Sequence, residues 1–164
     1  MASQPAGYSK TQIALHWIIA VLLIPQFLFN DAIGEAFRTA LRGTSTTFDP
    51  VVFSHVAIGF LIGLLVLLRL VIRLRRGAPK PPEQEHPLLK IAASVTHWAF
   101  YALLVLLPVS GAVAWFGLNH DAGEVHEVLK TILLVLVILH VVGALFHQFY
   151  LKTDLITRMK KASA

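Results

Sequence analysis

His126 and His140 stand fourteen residues apart in the nearly unbroken apolar run HEVLKTILLVLVILH. Imidazole is the commonest metal-binding side chain. On a helix this separation falls about 40° short of four full turns and rises roughly 21 Å, so both rings lean toward one face at two depths. Polar rings deep in an apolar helix mark a functional site. Histidines sharing one ion sit about one turn apart. A fourteen-residue spacing suits two flat cofactors stacked across a membrane, and haem is the obvious candidate.

The elements that must position these rings are transmembrane helices. The 164 residues are 56% hydrophobic and 14% charged, with a mean hydropathy of +0.70, far too apolar for a soluble domain. There is no cysteine, which excludes thiolate-held iron-sulfur clusters, disulfides and covalently attached c-type haem. Any haem must therefore be held by histidine. The net charge of +5 resides in basic residues that flank apolar runs, a pattern that sets membrane orientation and argues against nucleic acid.

Four apolar runs give spans at about residues 9–29, 51–72, 88–117 and 124–150, which predicts an all-α membrane protein with one membrane-embedded domain over 1–164. Asn30 to Pro50 reads as a polar connection with room for a short helix, Gly77 to Pro87 as a proline-dense linker, and Asn119 to Gly123 as a turn. Lys10, the cluster from Arg69 to Lys90, and Lys152, Arg158, Lys160 and Lys161 fall on one side. The positive-inside rule places that side, with both termini, in the cytoplasm.

Depth then sorts the histidines. His55 and His126 share an outer level; His16, His97 and His140 share an inner one. Each level offers imidazoles from different helices, as two bis-histidine b-type haems in a four-helix bundle require. At the inner level, depth leaves both His16 and His97 open as the partner of His140. Fourteen residues beyond His55 lies Arg69, which with Arg73 is placed to meet haem propionates. Fourteen beyond His97 lies Gly111, which with Gly59 and Gly143 leaves space either for a porphyrin or for close helix packing. His86 and His120 fall in connections and read as solvated.

The run YSKTQIALHW from Tyr8 to Trp17, His55 opening the second span, Arg69 to Arg76 closing it, Thr96-His97-Trp98 in the third, and His126-Glu127 with Leu139-His140 in the fourth resemble the bacterial di-haem cytochrome b561 family. The histidine spacing is also similar to that of the cytochrome b subunits of formate dehydrogenase and nickel-iron hydrogenase. The resemblance covers essentially the whole chain. It implies one haem b between His16 and His140, another between His55 and His126, and a bacterial inner-membrane location. It further implies oxidation of superoxide at the periplasmic face with reduction of ubiquinone. His97 and His147 then remain as candidate quinone contacts. The short turn before His126 departs from family members with a longer third connection.

Two alternatives stand beside this reading: an electron-transfer subunit serving a periplasmic redox or isoprenoid-binding partner, and a non-redox membrane protein with structural histidines. The loops contain no acid-base or nucleophilic constellation, so no catalytic side chain is assigned. Asp31, Glu35, Asp49, Asp121, Glu124 and Glu127 give the outer side an acidic balance. Arg38, Arg42 and Lys130 are the candidate groups there for steering superoxide.

Overall fold

A computed structural model describes Pro5 and residues 7–44, 48–81 and 85–162. These residues form six helices: α1 (Lys10–Leu28), α2 (Asn30–Leu41), α3 (Pro50–Arg76), α4 (Pro87–Gly117), α5 (His120–Phe149) and the single turn α6 (Leu155–Arg158). Helices α1, α3, α4 and α5 are long and apolar enough to cross a membrane.

Local chemistry sets the helix starts. Ser9 and Gln12 cap α1 reciprocally: the Ser9 hydroxyl accepts from the Gln12 N–H at 3.2 Å, and the Gln12 side chain accepts from the Ser9 N–H at 3.0 Å. Asp49 accepts from the Val51 N–H at 2.7 Å ahead of Pro50, the first residue of α3. His86 is exposed in the connection, as expected, and its Nδ1 also accepts from the Leu88 N–H at 3.3 Å and so caps α4. Asn119 caps α5 by accepting from the Ala122 N–H at 2.9 Å. The expected turn at Asn119 to Gly123 is consequently only Leu118 and Asn119, and His120 opens α5.

The connection after the first span contains a full amphipathic helix, α2, ending in a left-handed Gly43 at φ 72°. It walls one end of the bundle, where Phe37 approaches Trp115 with ring centres 6.2 Å apart. Gly123 makes room for it, because a Cβ there would stand 2.7 Å from the Phe37 ring.

Packing runs in sequence: α1 lies on α3, α3 on α4, and α4 on α5. The core of Ile19, Ile62, Val66, Tyr101, Leu103, Leu104 and Leu133 draws on all four long helices. Gly63 lets α3 approach α4 closely, since a Cβ there would meet the Pro108 ring at 3.1 Å. Polar ties close the end that holds both termini. Gln12 donates to the Gly77 carbonyl at 3.2 Å, Arg69 donates to the Gln12 carbonyl at 2.6 Å, and the Trp17 indole donates to the Met159 carbonyl at 2.8 Å.

Candidate functional site

At the α2 end of the bundle, α3 presents His55 and α5 presents His126, with ring centres 6.3 Å apart and planes at 71°. Both rings line a cavity of about 470 Å³ walled by α1, α2, α3, α4 and α5. Its surface is mostly apolar, and Gly59 and Gly111 face into it. His126 Nδ1 lies 3.0 Å from the Leu107 carbonyl and 3.2 Å from the Ser110 hydroxyl. Donation to that carbonyl fixes the proton on Nδ1 and turns the bare Nε2 toward a metal, the arrangement found in ligating histidines. Gly111 is required for this ring: a Cβ would stand 3.1 Å from its Nδ1 and Cε1. Gly111 thus gives room to the His126 ring as well as surface to the cavity.

At the terminus end, three imidazoles converge. His140 of α5 lies 6.3 Å from His16 of α1, with planes at 66°, and 5.9 Å from His97 of α4. His97 Nδ1 is engaged with the Ala93 carbonyl at 2.6 Å. Phe100 packs its ring edge-on to His140 with centres 5.3 Å apart. The His16–His140 pair thus repeats the separation and inclination of the pair at the other level.

These arrangements fit haem. Two imidazoles bonded to one iron from opposite sides, at about 2 Å each, place their ring centres about 6 Å apart. Both pairs match this spacing. Each also joins helices outside the main packing sequence, since α5 packs chiefly on α4 while its histidines face α1 and α3. Among the described residues no group of three or more His, Cys, Asp or Glu could hold a bare metal ion.

The charged candidates lie in less simple surroundings than their sequence positions suggest. Arg38 lines the cavity, and its guanidinium is paired with Glu35 at 2.8 Å. That contact holds the fully exposed Glu35 carboxyl below its usual range, through the hydrogen bond first and the positive charge second. Arg42 ends α2 and is exposed. The Lys130 ammonium donates to Asn30 on α2 and to Glu127 one turn back, also beside the cavity. Arg69 is tied to the Gln12 carbonyl. Arg73 sits over Trp98 and Tyr101, 5.7 and 5.8 Å from their ring centres. His147 is enclosed: Nε2 meets Glu85 at 3.1 Å and Nδ1 meets the Thr153 hydroxyl at 3.3 Å.

Glu85, Gln12, Ser110 and the Leu107 carbonyl escaped sequence reasoning. Glu85 is the notable omission, with a side chain only 4% exposed against His147. Its position in a proline-rich linker gives no sign of burial. Ser110 could have been found from its place one residue before Gly111, on the helix facing His126.

A family model described as prokaryotic cytochrome b561 matches residues 7–162. The chain is 33% identical over 162 residues to "Cytochrome b562" of Cereibacter sphaeroides, covering 97% of this chain and 98% of that protein. It is 28% identical over 174 residues to "Probable superoxide oxidase CybB" of Yersinia pestis, covering 93% and 94% of the two chains. It is 27% identical over 177 residues to "Cytochrome b561 homolog 2" of Escherichia coli K12, covering 94% and 92%.

Proposed function

Because the chain belongs to the prokaryotic cytochrome b561 family, a haem-binding family of the bacterial membrane, we propose that it passes electrons across the inner membrane from superoxide to ubiquinone. His55 and His126 hold one haem b at the periplasmic level, and His16 and His140 hold a second at the cytoplasmic level. Both termini face the cytoplasm in this reading, which the distribution of lysine and arginine supports. The observation that carries this reading is the repeated imidazole pair, 6.3 Å between ring centres at each of two levels.

Haem held by two imidazoles supplies one-electron carriage at its porphyrin edge, because its iron keeps no open position. The remaining work belongs to the side chains. The Leu107 carbonyl orients His126 by accepting its Nδ1–H. α5 fixes the separation of the two levels through the rise between His126 and His140, roughly 21 Å. Arg69 and Arg73 provide positive charge beside the inner histidines for propionates. Each superoxide surrenders one electron and leaves as dioxygen; each ubiquinone takes two electrons and two protons to become quinol. His97 is the better placed of the two quinone candidates, because both ring nitrogens of His147 are already engaged. The name of the Yersinia relative supports the choice of superoxide.

The pairing of Arg38 and Lys130 with carboxylates favours a second reading, in which a periplasmic protein delivers the electrons. Purified protein decides between them. The first reading expects two extractable haems per chain, rapid haem reduction by superoxide, and reoxidation by added ubiquinone. His126→Ala should remove the outer haem and His140→Ala the inner one. A single haem in fully loaded wild type overturns the two-level assignment. Two haems with no reduction by superoxide favour the protein donor.

A further inference from the structure

At the terminus end, the two extremities of the chain meet in a groove of about 530 Å³ lined by Lys10, Ile13 and Ala14 from α1 and by Lys160, Lys161 and Ala162 from the tail. We propose that this groove binds an anionic phospholipid, its phosphate between the lysines and an acyl chain along the α1 face.

Three features argue for a built site. The lysines come from segments about 150 residues apart in sequence, and among the described residues no carboxylate lines the groove with them. Their convergence is fixed by specific bonds. The Trp17 indole donates to the carbonyl of Met159, immediately before Lys160. Arg158 is bonded to Asp154 at 3.0 Å and donates to the Lys80 carbonyl at 3.1 Å, which ties the tail to the linker after α3. The floor is apolar and belongs to a helix long enough to span the membrane. A phosphate on an alkyl chain satisfies both parts of this surface: uncompensated ammonium groups above, Ile13 and Ala14 below. Free phosphate would use only the first. Basic pockets at a membrane boundary hold acidic headgroups through such charge pairing.

The test uses the full-length haem-loaded protein in zwitterionic detergent, titrated with fluorescent phosphatidylglycerol or phosphatidylcholine. Phosphatidylglycerol should bind at least tenfold more tightly. Lys160→Gln with Lys161→Gln should remove roughly tenfold or more of that affinity, and Lys10→Gln a smaller share. Trp17→Phe changes no charge but unties the tail, so it too should weaken binding. Arg75→Gln with Arg76→Gln removes the same charge from the exposed end of α3 and should leave binding nearly unchanged. The haem spectrum and far-ultraviolet circular dichroism show that each variant is folded. Equal losses from the arginine and lysine pairs, or full affinity in Trp17→Phe, would replace the site with diffuse surface charge. Displacement of the lipid by millimolar inorganic phosphate would identify a free-phosphate site and overturn the lipid assignment, as would equal affinity for the two lipids.

Discussion

The rings of His97 and His140 lie 5.9 Å apart, nearer than the 6.3 Å between His16 and His140. Proximity to His140 therefore does not identify its partner across an iron. The choice of His16 follows the resemblance to the cytochrome b561 family, and the 6.3 Å shared by His16–His140 and His55–His126 accords with it. His16→Ala should lower the haem content from two to one by pyridine haemochromogen assay. His97→Leu should keep two haems while slowing haem reoxidation by quinone. Loss of haem in the His97 variant, with retention in His16→Ala, would transfer the ligand role to His97.

Two glycines separate cofactor geometry from general tolerance. A methyl group on Gly111 meets the His126 ring at 3.1 Å, whereas one on Gly143 meets nothing within 4 Å. Gly111→Ala should perturb the outer haem alone, as a shifted α-band or lower occupancy, and cost about 1–3 kcal/mol in overpacking. Gly143→Ala, inside α5, should leave the outer haem unchanged and raise the thermal stability by about 0.5–1 kcal/mol. An unaltered spectrum in Gly111→Ala would show that the His126 ring is not held where it is drawn.

The Arg38–Glu35 pair makes a prediction with a defined sign. A charge already paired with a carboxylate attracts an anion weakly, so Glu35→Gln should accelerate haem reduction by superoxide at low salt and Arg38→Glu should slow it. Both differences should shrink as salt is added. Lys130→Glu should slow the reaction, and reversal at Arg42 should do likewise. The pH dependence follows from Glu35, whose carboxyl lies below its usual range because of Arg38. The pair persists from neutral pH down past the ordinary glutamate range, about 4.3, and is lost only as pH falls through the lower folded value. Stopped-flow rates that ignore all four variants would remove electrostatic guidance from this face.

Glu85 and His147 form the most enclosed contact between a carboxylate and a nitrogen-bearing side chain among the described residues, with side chains 4% and 12% exposed. Glu85→Ala leaves His147 Nε2 buried without its partner, which should cost about 1–3 kcal/mol. Thermal unfolding followed by the haem absorbance measures that loss. His147→Gln can still donate to Glu85 and should be milder. Equal stability of wild type and Glu85→Ala would show that solvent already reaches the pair.

The helices and histidine levels were legible in sequence because both follow from one regular geometry: apolar length fixes the span, and helical rise fixes the depth. The α2 wall was less legible because Asn30–Leu41 alternates polar and apolar residues, and its packing depends on Phe37 meeting Trp115 and Gly123 from distant segments. Glu85 was hidden because burial of a linker carboxylate depends on where α5 ends. The basic run showed Arg73 as positive charge near the inner level, but not that its guanidinium would lie over the rings of Trp98 and Tyr101 on α4. Spacing correctly faced Gly111 toward the outer level, but it could not distinguish room for a porphyrin from room for the histidine that would hold it.

The packing order of the helices bears on how the protein is assembled after synthesis. α1, α3 and α4 can gather as soon as they are inserted, since each packs directly on a neighbour. α5 leans mainly on α4, and its bonds to α1 and α3 would be made through cofactors joining His140 to His16 and His126 to His55. Haem supply then becomes a maturation checkpoint. Cells starved of haem should accumulate a chain in which α5 keeps its packing on α4 while its links to α1 and α3 stay unmade, and membrane proteases should degrade that chain faster than the haem-loaded protein.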